Sequence, residues 1–136
     1  MNYEVRYYSQ TGNSKKLALA IAEELGIEAK DVKEPLKEHV DLLFLCNSVY
    51  WAGADKRVKA FVKDNAAKIG AVVNVSTAAM IESTYKQMKD VCKEAGVALC
   101  EKEFHCPGQF TALHKGRPNH EDIENVKTFA RSLAKQ

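Results

Sequence analysis

Apolar residues recur along this chain in two rhythms. The clearest stretch is Asp41-Leu42-Leu43-Phe44-Leu45-Cys46-Asn47-Ser48, whose middle, Leu42 to Cys46, has no polar alternation. A strand covered on both faces of a parallel sheet reads this way. Ile69, Val72, Val73 and Val75 predict a second central strand over 69–76. Residues 3–8 predict a first strand, 27–32 a short charged edge strand and 97–106 the last. Between them the period changes to that of a helix. Leu17, Ile21 and Leu25 predict a helix over 13–25, stopped by Gly26. Val58, Phe61 and Val62 predict one over 55–65. Tyr85, Met88, Cys92 and Ala95 predict one over 83–95, ended by Gly96. Ile123, Val126, Ala130 and Leu133 predict the last, over 120–135. Asn119 is its expected cap, and Glu121, Asp122 and Glu124 suit its N-terminal dipole.

Five strands alternating with helices predict an α/β domain in three layers, with a parallel sheet. The 136 residues fit a single domain over 1–136, with no internal repeat, low-complexity tract or linker. No apolar run approaches the roughly 20 residues needed to span a membrane. The N-terminus lacks the apolar core of a signal peptide, so a cytoplasmic location is expected. Cys46, Cys92, Cys100 and Cys106 show no C-x-x-C spacing, which argues against zinc and thioredoxin-like chemistry. They read as reduced, mostly buried apolar residues, and no metal site is expected. A formal net charge of +2 is too small to argue for nucleic acid, where a clustered basic face is required.

Chemistry enters between the first strand and the first helix, at Ser9-Gln10-Thr11-Gly12-Asn13-Ser14. The first N–H groups of a helix have no internal partner, and the helix dipole adds positive character there. A phosphate can therefore bind without a lysine. Ser9, Thr11 and Ser14 offer hydroxyls, Asn13 an amide, and Gly12 a backbone that can turn close to a ligand. The simpler reading is ordinary helix capping. One cap needs one polar side chain, however, and five of these six can hydrogen-bond. The G-x-x-x-x-G-K-[ST] and G-x-G-x-x-G spacings are absent, so neither a Walker loop nor a dinucleotide fingerprint is present.

The Ser9–Ser14 stretch resembles the [ST]-x-T-G-N-[ST] phosphate loop of the flavodoxins, and the likeness extends along the chain. The resemblance implies a flavodoxin-like three-layer α/β/α sandwich whose five-stranded parallel sheet has the order 2-1-3-4-5. The ligand would then lie outside the carboxyl ends of strands one, three and four. It implies FMN as cofactor, with its 5′-phosphate held by Ser9, Gln10, Thr11, Gly12, Asn13 and Ser14. A second loop, Ser48-Val49-Tyr50-Trp51-Ala52-Gly53, would supply an aromatic face for the isoalloxazine and, near Gly53, a peptide beside the flavin N5. A third, beginning Ser76-Thr77-Ala78, would meet the pyrimidine ring through its backbone. This third loop departs from the family: it has neither acid nor aromatic between Ser76 and Ile81, so the outer flavin face is either open or covered by Met80 or by Tyr85. Flavodoxins are typically acidic and this chain is not, which bears on partners rather than fold.

The segment Phe104–Phe110, with Lys115–Pro118 beyond it, reads equally as a docking loop or as a crossover whose Gly and Pro set turns. His105 and Cys106 are adjacent on a strand and should point to opposite faces. A response-regulator receiver has the same architecture but needs acids after strands one and three, where this chain has Tyr8-Ser9 and Asn47-Ser48. There is no G-x-S-x-G elbow. The expectation is an FMN-binding electron carrier serving redox partner proteins, with no catalytic acid or base. A small FMN-dependent NAD(P)H or quinone oxidoreductase and a flavin-free interaction module stand as alternatives.

Overall fold

A computed structural model describes residues 1–49, 55–78, 83–108 and 115–134. In chain order it runs β1 (Tyr3–Tyr7), α1 (Asn13–Leu25), β2 (Ala29–Asp31), β3 (Val40–Val49), α2 (Lys56–Asn65), β4 (Ile69–Ala78), α3 (Tyr85–Ala95), β5 (Ala98–Leu99), β6 (Phe104–Pro107) and α4 (His120–Ala134). Every strand pairing among the described residues is parallel, in the order β2-β1-β3-β4-β5, with β6 also on β4. The 2-1-3-4-5 order expected from the sequence is the observed one.

The single last strand expected over 97–106 is instead two short ones. Val72 faces Leu99, whereas Val75 faces Phe104, so β4 advances three residues while its partner advances five. Two residues are extruded. The cause is local: Cys100 N still donates to Val72 O at 2.8 Å, after which the exposed pair Glu101-Lys102 turns to water. Phe104 then restores the pairing by burying its ring against Phe129 of α4, 5.9 Å between centroids.

The sheet separates two apolar clusters. On one face Val5, Phe44, Cys46, Val73 and Val75 meet Leu17, Ala18 and Ile21 of α1 and Val126, Ala130 and Leu133 of α4. On the other, Leu43, Leu45 and Val72 meet Val58, Phe61 and Val62 of α2 and Met88, Val91 and Cys92 of α3. The unalternating run in β3 is accounted for, since Leu43 to Cys46 are fully buried on both sides. Tyr85, expected in the buried stripe of α3, is only half-buried, because its hydroxyl reaches out to Cys100 O at 3.1 Å. No helix among the described residues is long and apolar enough to cross a membrane.

Helix α4 is anchored at its start as the sequence predicts. Asn119 Oδ1 accepts from Asp122 N at 2.9 Å, and Asp122 Oδ2 accepts from Asn119 N at 2.8 Å. Arg117 adds a two-pronged contact to both Asp122 oxygens, at 2.6 and 2.9 Å. Burial pushes the Asp122 carboxyl upward, but the Arg117 hydrogen bonds and the Asn119 N–H outweigh it and hold the acid below its ordinary value.

Two expectations follow. Phe44→Ala, at the centre of the sheet, should cost about 3–5 kcal/mol in urea unfolding, since it empties a fully buried site. Asp122 contributes stability that is complete above its unfolded-state value, about 3.9, and is lost as pH falls through the lower folded-state one. Asp122→Asn should therefore show a lower Tm at neutral pH and a smaller further drop between about pH 5 and about pH 3.

Candidate functional site

Each central strand changes character near its carboxyl end. Along β3, Phe44 and Cys46 give way on one face to Ser48, and Leu43 and Leu45 on the other to Asn47. Along β4, Val73 and Val75 give way to Thr77, and Val72 to Asn74 and Ser76. The register sets Asn47 beside Ser76 and Ser48 beside Thr77. The apolar core thus ends in a polar layer on both faces at the same end of the sheet.

On the α1 face this layer joins three elements. Ser14 Oγ, in the first turn of α1, shares a hydrogen bond with Ser48 Oγ, and Ser48 Oγ shares one with Thr77 Oγ1 at 2.6 Å. Ser14 and Thr77 are essentially fully buried. The ends of β3 and β4 are therefore tied to the start of α1, and three residues distant in sequence meet. Gly108, just past β6, closes the group. A Cβ there would sit 2.8 Å from Asn13 Nδ2 and 3.0 Å from Thr77 Cβ. Its N–H donates to Ala78 O at 3.2 Å.

The loop before α1 has the form an anion requires. Gly12 adopts φ 89°, ψ −5°, in the left-handed region, with nothing within 4 Å of where a Cβ would stand. It precedes α1 as the cap residue, yet no side chain caps the helix. Ser9 Oγ accepts from Gly12 N at 2.9 Å and so shapes the turn rather than closing the helix end. Gln10 and Thr11 are exposed, whereas Asn13 and Ser14 are buried and point inward. Simple capping is thus not how this loop uses its polar side chains.

On the α2/α3 face Asn47, Asn74 and Thr84 are buried. Asn47 Nδ2 donates to Asn74 Oδ1 at 2.8 Å, Asn74 Nδ2 donates to Thr84 Oγ1 at 3.1 Å, and Thr84 Oγ1 donates to Asn47 Oδ1. Thr84 N reaches Ser76 Oγ at 3.3 Å, and Ser83 Oγ donates to Glu103 Oε1. This closed network ties the residue before α3 to the ends of β3 and β4. Buried polar groups this densely paired rigidify what they join.

Charge is distributed unusually around this end. Helices α1, α2 and α3 have no acid in the first turn, where the dipole favours one. Lys15, Lys16, Lys56, Arg57 and Lys86 stand there, all exposed, while α2 has its acid one residue earlier: Asp55 caps it, accepting from Arg57 N at 2.8 Å and lying 3.6 Å from the Arg57 guanidinium. A cation so placed forgoes about 0.3–1 kcal/mol that an acid would gain. Arg57 lies over the Tyr8 ring, 4.9 Å to its centroid, and donates to its hydroxyl at 2.7 Å. Gln10 Nε2 touches the same hydroxyl, at 3.5 Å. Lys15 Nζ lies 5.8 Å from the Tyr7 ring centroid.

Ser9, Gln10, Thr11, Gly12, Asn13 and Ser14 are thus brought to one end of the sheet together with Ser48 and Thr77. The predicted strand over 69–76 runs two residues further, taking in Thr77 and Ala78. Ser76, Thr77 and Ala78 belong to β4, where β3 pairs on one side and β6 on the other, so their backbone is engaged in ladders. The sixth strand is invisible as a separate element in sequence. Val49 likewise ends β3, opposite Ala78. Tyr50, Trp51, Ala52 and Gly53 lie outside the described residues, as do Met80 and Phe110. His105 is exposed and Cys106 buried, on opposite faces as predicted. Sequence reasoning missed Tyr8, Arg57 and Gly108; a Pro-Gly pair at the end of a predicted strand was the one signal for the last. Cys46, Cys92 and Cys106 are buried and Cys100 half-buried, and all four are free thiols. Burial pushes the Cys92 thiol up to about 11 and the Cys106 thiol to about 12.

No protein-family model matches the chain. It is 27% identical over 137 residues to an uncharacterized protein of Methanocaldococcus jannaschii, covering 90% of this chain and 91% of that one. A flavodoxin from the domain Archaea superposes with a TM-score of 0.75 at 12% identity, covering 99% of this chain and 97% of the other. Oxidised Flavodoxin 1 from Bacillus cereus gives 0.66 at 19% identity, covering 100% and 99%. Rubredoxin oxygen:oxidoreductase from the anaerobe Desulfovibrio gigas gives 0.69 at 15%, covering 98% of this chain but 35% of that one. At these identities the likeness is one of architecture: the chain has a flavodoxin-like fold.

The network on the α2/α3 face gives a test of the site's frame. Thr84→Val keeps the side-chain shape but leaves Asn47 Oδ1 and Asn74 Nδ2 short of a partner. It should cost about 1–3 kcal/mol in chemical denaturation. Thr128→Val, at an exposed hydroxyl on α4, should stay within about 0.5 kcal/mol of the parent.

Proposed function

We propose that this protein binds FMN at the carboxyl end of its sheet and carries electrons between redox partners. The observation that carries the reading is the start of α1. A helix N-terminus without a side-chain cap follows a left-handed glycine open to solvent, with no acid in its first turn. It stands where a parallel α/β sheet of this order leaves its crevice. These features fit a phosphate monoester: the N–H groups of the first turn and the helix dipole supply attraction, and the open side of Gly12 leaves room.

FMN, when bound, supplies the electron chemistry; the chain supplies position and field. Ser9 holds the turn through Gly12 N, just ahead of the N–H groups that would meet the phosphate. The buried Ser14–Ser48–Thr77 hydroxyls fix the floor beneath the loop. Thr11 and Gln10, exposed on the rim, are placed to meet the phosphate. In this reading Tyr50, Trp51, Ala52 and Gly53 complete the flavin pocket beside Ser48 and Val49, and Ser76, Thr77 and Ala78 form its inner wall rather than a backbone contact. No side chain is assigned as acid or base.

Titration of the flavin-free protein with FMN, followed by quenching of flavin fluorescence, tests this directly. Saturable one-to-one quenching is expected, and riboflavin, which lacks the phosphate, should bind at least about tenfold more weakly. Absence of quenching refutes the reading. Gly12→Ala places a side chain in the left-handed region, which costs about 1–2 kcal/mol, and should weaken FMN binding and lower Tm together. Rapid NAD(P)H turnover by the FMN-loaded protein alone would instead mark it as an oxidoreductase.

A further inference from the structure

We propose that Arg57, clasped to Tyr8, is a positioning residue that fixes the two sides of the crevice against each other and thereby sets the affinity for the flavin ring. The proposal rests on the flavin-binding reading above, and it assigns no contact between Arg57 and the ligand.

The two residues stand 49 positions apart and continue different strands. Tyr8 follows β1 and leads into the Ser9–Ser14 loop, whereas Arg57 lies in the first turn of α2, which follows β3. In a sheet of order β2-β1-β3-β4-β5 the winding reverses between β1 and β3, and a crevice opens there. Helices α1 and α2 accordingly pack on opposite faces, α1 over Val5 and Phe44 and α2 over Leu43 and Leu45. The two strands stay paired from Tyr3 against Leu42 to Tyr7 against Cys46. One more bond, from Tyr8 N to Cys46 O at 3.2 Å, follows before the chains part. Beyond it, Ser14 and Ser48 link their continuations on the α1 face. Arg57 and Tyr8 link them on the α2 face.

Arg57 is held from two directions although its side chain is 52% exposed. Its guanidinium lies over the Tyr8 ring, 4.9 Å to the centroid, and donates to the Tyr8 hydroxyl at 2.7 Å. The ring contact sets the plane and the hydrogen bond sets the reach. Tyr8 is a firm anchor: its ring packs against the α2/α3 cluster and its N–H is bound to Cys46 O. From its own helix, Asp55 accepts from Arg57 N at 2.8 Å and lies 3.6 Å from the guanidinium. That carboxylate offsets the cation, which suits Arg57 to holding geometry rather than to attracting an anion. A crevice held in its bound shape before the ligand arrives spares the ordering cost of binding. The phosphate is met by the start of α1 alone, whereas the ring lies between the two sides that this tie joins. Losing the tie should therefore weaken FMN and riboflavin by the same factor.

The test uses the full-length, flavin-free protein, titrated with FMN and with riboflavin and read by flavin fluorescence. Tyr8→Phe keeps the ring and removes the hydroxyl; Arg57→Gln removes the cation and its planar fork. Each should weaken both flavins at least about fivefold, with the FMN-to-riboflavin affinity ratio within about twofold of the parent. The double variant should bind no more than about twofold more weakly than Arg57→Gln alone, because both changes break one contact. Lys56→Gln removes a charge from the exposed neighbouring residue in the same turn and should alter either affinity less than about twofold. Amide hydrogen exchange of the flavin-free protein reads the tie without any ligand. Residues 55–59 should exchange at least about threefold faster in Tyr8→Phe and Arg57→Gln, and residues 85–95 at the parent rate. Unchanged flavin affinity in those two variants, loss of FMN affinity with riboflavin unaffected, additive losses in the double variant, or an equal loss in Lys56→Gln would each overturn the inference while leaving FMN binding by the parent in place. A parent that takes up no FMN refutes the carrier reading, and the exchange comparison then decides the tie by itself.

Discussion

The pairing of β3 with β4 is the constraint on which the rest depends. Over Val40–Val49 and Ile69–Ala78 the two strands stay in one parallel register. Side chains alternate across that pair, so a single register decides what each face contains. It places Phe44 and Cys46 with Val73 and Val75 against α1, and Leu43 and Leu45 with Val72 against α2 and α3. It also brings Ser48 to Thr77 and Asn47 to Asn74 at the carboxyl end. A slip of one residue would turn both core layers inside out and separate Ser48 from Thr77 and Asn47 from Asn74.

The two polar layers do different work with similar chemistry. The Ser14–Ser48–Thr77 group ties a helix start to the sheet, and the glycine at the cap position brings no side chain to close that helix. The Asn47–Asn74–Thr84 network is closed upon itself, each amide satisfied by the next. The first leaves binding capacity at the surface; the second spends none of it on solvent. Together they make a firm floor under a loop whose polar edge, Gln10 and Thr11, faces outward. That division suits a site that must hold an anion without rearranging.

Electrostatics adds a second design on the same end. The dipoles of α1, α2 and α3 point their positive ends at the crevice, and the lysines beside them reinforce that field at some expense in helix stability. Helix α4 follows the usual preference, with Glu121 and Asp122 in its first turn and Arg117 clamped to Asp122.

What sequence alone determined was the set of elements and the loop before α1. Apolar runs without alternation marked β3 and β4, and four-residue spacing marked the helices, because burial on two faces and on one stripe leave distinct periods. Asn119 was legible as a cap because capping is a local contact. The phosphate-loop motif lies within six consecutive residues and needed no partner to be seen. Tertiary structure decided the remainder. The split of the last strand into β5 and β6 depends on how β4 takes up two extra residues, which no local pattern in 97–106 encodes. That split lays β6 along Val75 to Ala78 and brings Gly108 against Asn13 and Thr77. The stacking of Arg57 on Tyr8, 49 residues apart, is likewise a product of chain path. The common physical reason is range: a period or a cap is fixed by neighbours along the chain, whereas a pairing or a charge field is fixed by neighbours that only folding supplies.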